Sequence, residues 1–245
     1  MTKKQNILPG IVVGVFYIGC IYLILFQVSD VLNFSQLLLY KEQLLMAFVT
    51  TIIISLISLV ASIIIGFITF VLQTFPNRYL KYLIGTYKEI IMGTPLLVMV
   101  FVVVYIIGLA LNIHDKLLLG LIAMTMYMSP YMTNVFEAAY NTIDKNQFIM
   151  MDFYGFNLYQ KYRYILLPQM IKPIIPGLIN NLSGIIKGTS ILSTIAIQEI
   201  FYTISIISNN TYRYMEGYFV LWLVYLLITI PLSRLAQYYM KKWNV

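Results

Sequence analysis

The chain has few of the residue types from which metal sites and acid–base active sites are built. Its 245 residues include one cysteine, Cys20, and one histidine, His114, so neither an intramolecular disulfide nor a thiol metal site is expected. Asp and Glu together number 9 and are scattered along the sequence. These absences argue against a membrane enzyme such as a lipid head-group transferase, which needs His, Asp or Glu clustered at the membrane surface.

Charged residues are scarce as well. They make up 10% of the chain, against roughly a quarter in soluble domains, whereas 60% of the residues are apolar. The net charge is +7, but the basic residues lie in short loops, where they set membrane topology, so we expect no nucleic-acid partner. The composition predicts a polytopic membrane protein with membrane lipid around it.

Six apolar segments are long enough to cross a bilayer, since each span needs about 20 residues. The segments are Pro9–Val28, Leu44–Gln73, Ile84–Leu111, Leu117–Tyr140, Pro173–Ile195 and Gly217–Tyr238. The first lacks a small-x-small cleavage site after it, so we interpret it as a retained helix. The second would be roughly 45 Å long as a helix and is expected to tilt or to project beyond the bilayer. The sequence therefore predicts an all-α fold of about six transmembrane helices.

The basic residues of the loops indicate the orientation. With the N-terminus inside, the cytoplasmic side receives Lys3, Lys4, Arg78, Lys81, Lys88, Lys145, Lys161, Arg163, Lys172, Arg234, Lys241 and Lys242. The outer side receives only Lys41, Lys116 and Arg213. This asymmetry satisfies the positive-inside rule with both termini in the cytoplasm.

The longest loop of mixed polarity, about residues 144–171, is cytoplasmic in this orientation. Asn146–Tyr154 is predicted to be a short helix that ends at Gly155, because glycine takes the positive φ of a helix C-terminus at no steric cost. Leu158–Leu166 is predicted to be a second short element. Pro168 and Pro173 lack a backbone N–H and therefore suit the start of the next helix.

Lys187 is unusual because a charged residue inside a predicted span is costly and normally faces the protein interior or a cavity. Two interpretations remain open. Lys187 forms a structural ion pair with Glu137 or Glu199, or it attracts the carboxylate of a substrate or gates its exit. A second unusual feature is Gly93-Thr94-Pro95, which predicts a break in the third span, and such breaks often mark transport paths.

Three groups of residues at consistent spacing carry a resemblance to a known family. They are Lys88-Glu89 with Gly93-Thr94-Pro95-Leu96-Leu97; Gln147 with Gly155, Ile165, Leu167, Pro168 and Gln169; and Pro173, Pro176, Asn180, Lys187, Thr189, Ser190 and Glu199. With them, residues 44–241 resemble the permease subunits of bacterial ABC importers, specifically the group that carries polar amino acids such as histidine, glutamine and arginine.

The resemblance implies a five-helix permease core at residues 44–245, preceded by an extra N-terminal helix and outer loop in residues 1–43. It implies a multi-pass protein of the bacterial plasma membrane that imports a polar amino acid. Two ABC ATPase subunits, a second permease subunit of the same or a homologous sequence, and an extracellular substrate-binding protein are the expected partners. The chain itself would be no enzyme and bind no cofactor, with ATP and Mg²⁺ used only by the ATPase.

The resemblance also implies roles for particular residues. Contact with the ATPase is expected from Gln147, Ile149, Met150, Met151, Asp152 and Gly155. The substrate path is expected to involve Lys187, Thr189, Ser190, Asn180, Glu137, Thr94 and Glu199.

The sequence departs from the family pattern at three places. Ile149-Met150-Met151 replaces a Glu-Ala-Ala motif, Met92 replaces an Arg, and Gly188 replaces an Asp. The apolar trio either packs against the permease's own helices, forms a hydrophobic contact in the ATPase cleft, or marks the weakly coupled half of a heterodimer. A gradient-driven secondary transporter and a non-transporting scaffold derived from the permease family remain the alternative functions.

Overall fold

The computed structural model describes residues 8–28 and 32–243, so Lys3 and Lys4 lie outside the described residues. The described part is helical and contains no strand. Its nine main helices are α1 Leu8–Val28, α2 Lys41–Thr74, α3 Arg78–Gly93, α4 Leu96–Ala110, α5 Lys116–Tyr140, α6 Lys145–Phe153, α7 Leu158–Ile195, α8 Ile200–Thr211 and α9 Tyr214–Trp243. A single turn, Ser35–Leu38, precedes α2.

Two helices, α2 and α9, are long and apolar enough to cross a membrane unaided, and the bent pairs α3–α4 and α7–α8 qualify if each pair counts as one span. The predicted spans at Leu117–Tyr140 and Pro9–Val28 coincide closely with α5 and α1. The chain is thus an all-α polytopic membrane protein with about six membrane segments.

The prediction that Ile84–Leu111 forms one continuous span is wrong. The segment is divided between α3 and α4, which meet at 108°. The break falls at the predicted place, because Thr94 is extended (φ −96°, ψ 127°) and Pro95 has no N–H with which to continue α3.

The prediction that Pro173 starts the fifth span is also wrong. α7 begins at Leu158 and continues through the predicted second short element, so Pro173 lies inside the helix. Pro168 does lie where the regular α-helical part begins, at Leu167. Interior proline is tolerated in membrane helices because packed neighbours satisfy the freed carbonyl groups.

Two helices contain a turn of π geometry, with one residue more per turn than an α-helix. The turns are Val102–Ile107 in α4 and Lys161–Leu166 in α7. Such turns occur as local insertions in α-helices and are frequent near functional sites.

The centre of the molecule is the close packing of α2 on α5. A Cβ atom added at Gly66 would lie 2.5 Å from the Cβ of Met132, so the two backbones are almost in contact. Thr133 Oγ1 donates to the carbonyl of Gly66 at 3.2 Å. Small residues allow this approach between membrane helices, and hydrogen bonds across the interface add to it.

An aromatic cluster joins the ends of α2, α5 and α7 near the 144–171 loop. It consists of Phe67, Phe70, Phe136, Tyr140 and Tyr162. The hydroxyls of Thr74 and Tyr162 are 2.8 Å apart, which adds a polar link between α2 and α7. The three helices therefore meet as one packed unit where the loop begins.

Candidate functional site

The short helix α6 is held at both ends by local hydrogen bonds. Asp144 Oδ1 accepts from the N–H of Asn146 at 2.8 Å and so caps the first turn. At the other end Gly155 has φ +68°, and the N–H of Phe156 donates to the carbonyl of Met151 at 3.0 Å. This is the arrangement of a Schellman C-cap, so the prediction of a helix ending at Gly155 is confirmed.

Side chains fasten α6 to its neighbours. Gln147 and Gln169 exchange two amide hydrogen bonds, of 3.2 and 2.8 Å, between α6 and α7. Lys161 of α7 forms an ion pair with Asp152. The ring of Phe148 lies 4.9 Å, centroid to centroid, from the Tyr140 ring at the end of α5. A force on α6 therefore reaches α5 and α7 through several contacts.

The apolar trio of α6 divides between the interior and the surface. Met151 is 2% exposed and packs in the core, whereas Ile149 is 64% and Met150 48% exposed. Phe153 and Tyr154, which sequence reasoning missed, extend the exposed set. We name Ile149, Met150, Phe153 and Tyr154 the α6 patch. The spacing of four residues between Ile149 and Phe153 and between Met150 and Tyr154 was the available signal, since such pairs share a helix face.

On α7, Asn180 and Lys187 are exposed and seven residues apart, hence on the same side of the helix. Ser190 Oγ donates to the carbonyl of Lys187 at 2.8 Å, and Thr189 is fully buried with its hydroxyl on the carbonyl of Ile186. A polar, charged face on a membrane helix is costly against lipid and is normally turned to protein or to a water-filled path.

Of the two interpretations of Lys187, the ion pair with Glu137 or Glu199 is not formed among the residues that the structure describes. Glu137 instead accepts from Lys88 Nζ at 2.8 Å, which ties α5 to α3. Glu199 is fully buried and caps α8, where it accepts from the N–H of Phe201 at 3.0 Å and of Tyr202 at 2.7 Å. Both carboxylates are thereby satisfied by groups other than Lys187.

The segments after Pro95 and after Lys187 come together. The first turns of α4 pack against the final 3₁₀ turns of α7, Thr189–Ile195. A Cβ added at Gly188 would lie 3.2 Å from Leu96 Cδ2 and 3.3 Å from Met124 Cε. Thr94, half-buried beside this contact, donates through its hydroxyl to the carbonyl of Ile90 at 2.7 Å. Two motifs almost a hundred residues apart thus form one contact region.

These features define a polytopic helical membrane protein with a short helix fastened at one end of its bundle. Over residues 62–245 the sequence matches the family described as binding-protein-dependent transport system inner membrane component. The chain belongs to this family, which confirms the resemblance to importer permeases, and it is a multi-pass protein of the plasma membrane.

Individual relatives agree with the family. The probable glutamine ABC transporter permease protein GlnM of Bacillus subtilis (strain 168) is 31% identical over 195 residues, which are 80% of this chain and 90% of that protein. The putative glutamine transport system permease protein GlnP of Rickettsia conorii is 28% identical over 195 residues, which are 78% of this chain and 88% of that protein.

Solved structures agree on the fold. A crystal structure of an amino acid ABC transporter with histidines superposes with a TM-score of 0.77 at 23% identity, covering 86% of this chain and 99% of that one. An inward-facing structure of the MetNI methionine ABC transporter gives a TM-score of 0.65 at 13% identity, covering 81% and 97%. At these identities the likeness establishes the fold alone.

Proposed function

We propose that this chain is the permease subunit of an ATP-driven importer that moves a polar amino acid into the cell. Family membership and relatives named as glutamine permeases support the substrate class. The observation that carries the proposal is the fastened helix α6 with its exposed apolar patch. A gradient-driven transporter needs no such docking element, whereas an importer driven by a separate ATPase does.

In this proposal α6 is the coupling helix. The contacts Gln147–Gln169 and Asp152–Lys161 make it a stiff projection rather than a loop that would bend. Gly155 ends it sharply, and Met151 anchors it in the core. The α6 patch then replaces the carboxylate that the family motif places at position 149, and an apolar contact with the ATPase replaces an ionic one.

The substrate path lies along the exposed face of α7 in this proposal. Lys187 would attract the substrate carboxylate, with Asn180 and Ser190 as uncharged hydrogen-bonding groups nearby. Thr94 and the buried Thr189 belong to the contact region of α4 and α7 that shapes the path. Glu137 and Glu199 take part indirectly, since each holds a helix beside the path through the bonds described above.

The remaining parts of the transporter follow from this role. Two ATPase subunits would hydrolyse ATP with Mg²⁺, an extracellular binding protein would deliver the substrate, and a second permease subunit would complete the path beside Lys187. Residues 44–245 would form the five-helix core, and residues 1–43 would be an addition to it. The family's description as a transport-system component weighs against the gradient-driven and scaffold alternatives.

The test is to purify the chain in nanodiscs with the ATPase encoded beside it and to add binding proteins loaded with individual polar amino acids. Stimulation of ATP hydrolysis by one loaded binding protein, and not by its empty form, is the expected result. Hydrolysis that ignores every loaded binding protein, with any neighbouring permease also present, would contradict the proposal.

A further inference from the structure

Helix α3 lies across the direction of the membrane spans. It meets α4 at 108°, so the two helices cannot both run along the membrane normal. α4 contains no charged residue, whereas α3 contains four, so α4 is the half suited to the hydrocarbon core. Only a few residues separate α3 from Thr74 at the end of α2, which is bonded to Tyr162 beside the 144–171 loop. α3 is therefore placed along the inner surface of the bilayer, roughly parallel to the membrane plane.

One side of α3 is fixed to α5. Ile84 is buried, and the hydroxyl of Tyr87 lies 2.5 Å from that of Ser129. Lys88 completes this side through its ion pair with Glu137, in which the lysine side chain is 16% exposed. These contacts fix the rotation of α3 about its own axis, so the side chains on its other faces have defined directions.

A second face of α3 is apolar and uncovered. Tyr79 is 87%, Leu83 68% and Ile90 62% exposed, and the three repeat at helical spacing. They line an open groove of about 690 Å³ whose other walls include Leu80 and Tyr82. An apolar strip of this size on a helix in the membrane plane is the surface that interfacial helices bury among acyl chains.

The third face is cationic at the start of the helix. Arg78 and Lys81 line a neighbouring groove of about 500 Å³. Glu89 also lines this groove, but at its other end, some 12 Å along the helix axis from Lys81. The guanidinium of Arg78 lies 5.5 Å from the centroid of the Tyr82 ring. Cations in the first turn oppose the helix dipole, so Arg78 and Lys81 are not placed there to stabilise α3.

We propose that α3 binds an anionic phospholipid of the cytoplasmic leaflet. The phosphate lies between Arg78 and Lys81, and an acyl chain follows the strip of Tyr79, Leu83 and Ile90. Charge complementarity selects the headgroup, because each Lys or Arg near the membrane surface increases binding to anionic lipids over neutral ones about fivefold. The inference requires only that the chain sits in a membrane and is independent of the transport reaction.

The test reads lipid contact at α3 by fluorescence quenching. The full-length chain carries Leu83→Trp in a background of Trp222→Phe and Trp243→Phe, and is reconstituted in vesicles containing brominated phosphatidylglycerol or brominated phosphatidylcholine. We expect phosphatidylglycerol to quench the indole with a preference over phosphatidylcholine of about fivefold for each of the two cations, roughly 25-fold in all. The double variant Arg78→Gln/Lys81→Gln should lose this preference while quenching by both lipids persists.

Lys241→Gln/Lys242→Gln is the matched control, because it removes two cytoplasmic cations at the end of α9 and should leave the preference unchanged. Equal quenching by the two lipids overturns the recognition of charge. No quenching by either lipid overturns the proposal altogether, since protein then covers the face. Neither outcome affects ATP hydrolysis stimulated by a binding protein, so failure of the transport proposal is recognised separately.

Discussion

Lys187 is a charged side chain on the exposed face of a membrane helix. The carboxylates of Glu137 and Glu199, which the sequence offered as its partners, bond to other groups. We expect Lys187→Met to lower amino-acid uptake by roughly tenfold to a hundredfold, because a hydrogen bond to a charged group contributes about 1.5–3 kcal/mol. Uptake by proteoliposomes measures this, and yield of the intact complex shows that insertion persists.

Lys172→Met is the control for this prediction. Lys172 lies on the same helix and is also exposed, but it is 15 residues before Lys187, toward the predicted cytoplasmic side. Its replacement should leave uptake within about twofold of the original, since exposed charges contribute little. Equal uptake by Lys187→Met and the unmodified chain would remove Lys187 from the path.

Gly188 replaces an Asp of the family pattern, and its surroundings explain why that Asp would not fit here. A side chain at this position would meet Leu96 and Met124. We expect Gly188→Asp to lower the free energy of unfolding by about 1–3 kcal/mol, because it buries an unpaired carboxyl group between apolar side chains. Thermal unfolding in nanodiscs measures this.

Gly85→Asp adds the same side chain to α3, where a Cβ meets nothing within 4 Å, and should change stability little. A Gly188→Asp protein as stable as the Gly85→Asp protein would mean that the contact of α4 with α7 opens readily.

At the scale of the element, α6 presents a surface that can be altered without disturbing its core side. Ile149→Asp or Phe153→Asp should weaken association with the ATPase at least tenfold, because each places a charge on an apolar contact. Both side chains are largely exposed, so the fold should persist. Co-purification of the ATPase at graded salt concentrations measures the effect.

Asn146→Asp adds the same charge to an exposed position in the first turn of α6, where the helix dipole favours it, and should leave the association intact. Met151→Asp, by contrast, should unfold the loop, since Met151 is in the core. Normal ATPase binding by the Ile149→Asp protein would show that the patch does not make the contact.

The ends of α6 could be predicted from the residues beside them, whereas the direction of α3 could not be predicted from the sequence. Gly155 and Asp144 act on residues beside them, so their sequence context was enough to place the ends of α6. The break at Pro95 was equally local. The 108° angle that follows it is set by contacts between α3 and α5, such as Lys88 with Glu137, which lie 49 residues apart in sequence.

The role of Glu199 could not be predicted from the sequence for a related reason. The sequence left open an ion pair between Glu199 and Lys187, but the carboxylate oxygens of Glu199 accept from the first N–H groups of α8. That helix in turn is fixed by the N–H of Ile200, which donates to Thr51 Oγ1 of α2 at 3.0 Å across 149 residues. Pairings of this range leave no periodic trace in the sequence.

At the scale of the whole molecule, α1 is distinct from the packed unit of α2, α5 and α7. Most of the described side chains of α1 are exposed, among them Val12, Phe16 and Ile18. We expect a chain that starts at residue 32 to assemble with the ATPase and to retain ATP hydrolysis stimulated by the binding protein, since the core contacts are intact. Hydrolysis in nanodiscs measures this.

A shortened chain that reaches the membrane but no longer assembles would show that assembly requires residues before position 32, against the proposal that residues 44–245 form the complete core. Replacing residues 8–28 by an unrelated apolar helix is the control for insertion. Recovery by this replacement would show that only the presence of a span matters, and not its sequence.

The π turn at Lys161–Leu166 has a consequence for everything that follows it in α7. An α-helix advances 100° per residue, so one additional residue in a turn re-phases the remainder of the helix by about that angle. Asn180 and Lys187 face outwards because of this offset, and an α7 of regular α geometry would point other side chains there. The direction in which the charged face points is thus set about four to six turns before it, beside the helix that the ATPase is proposed to push.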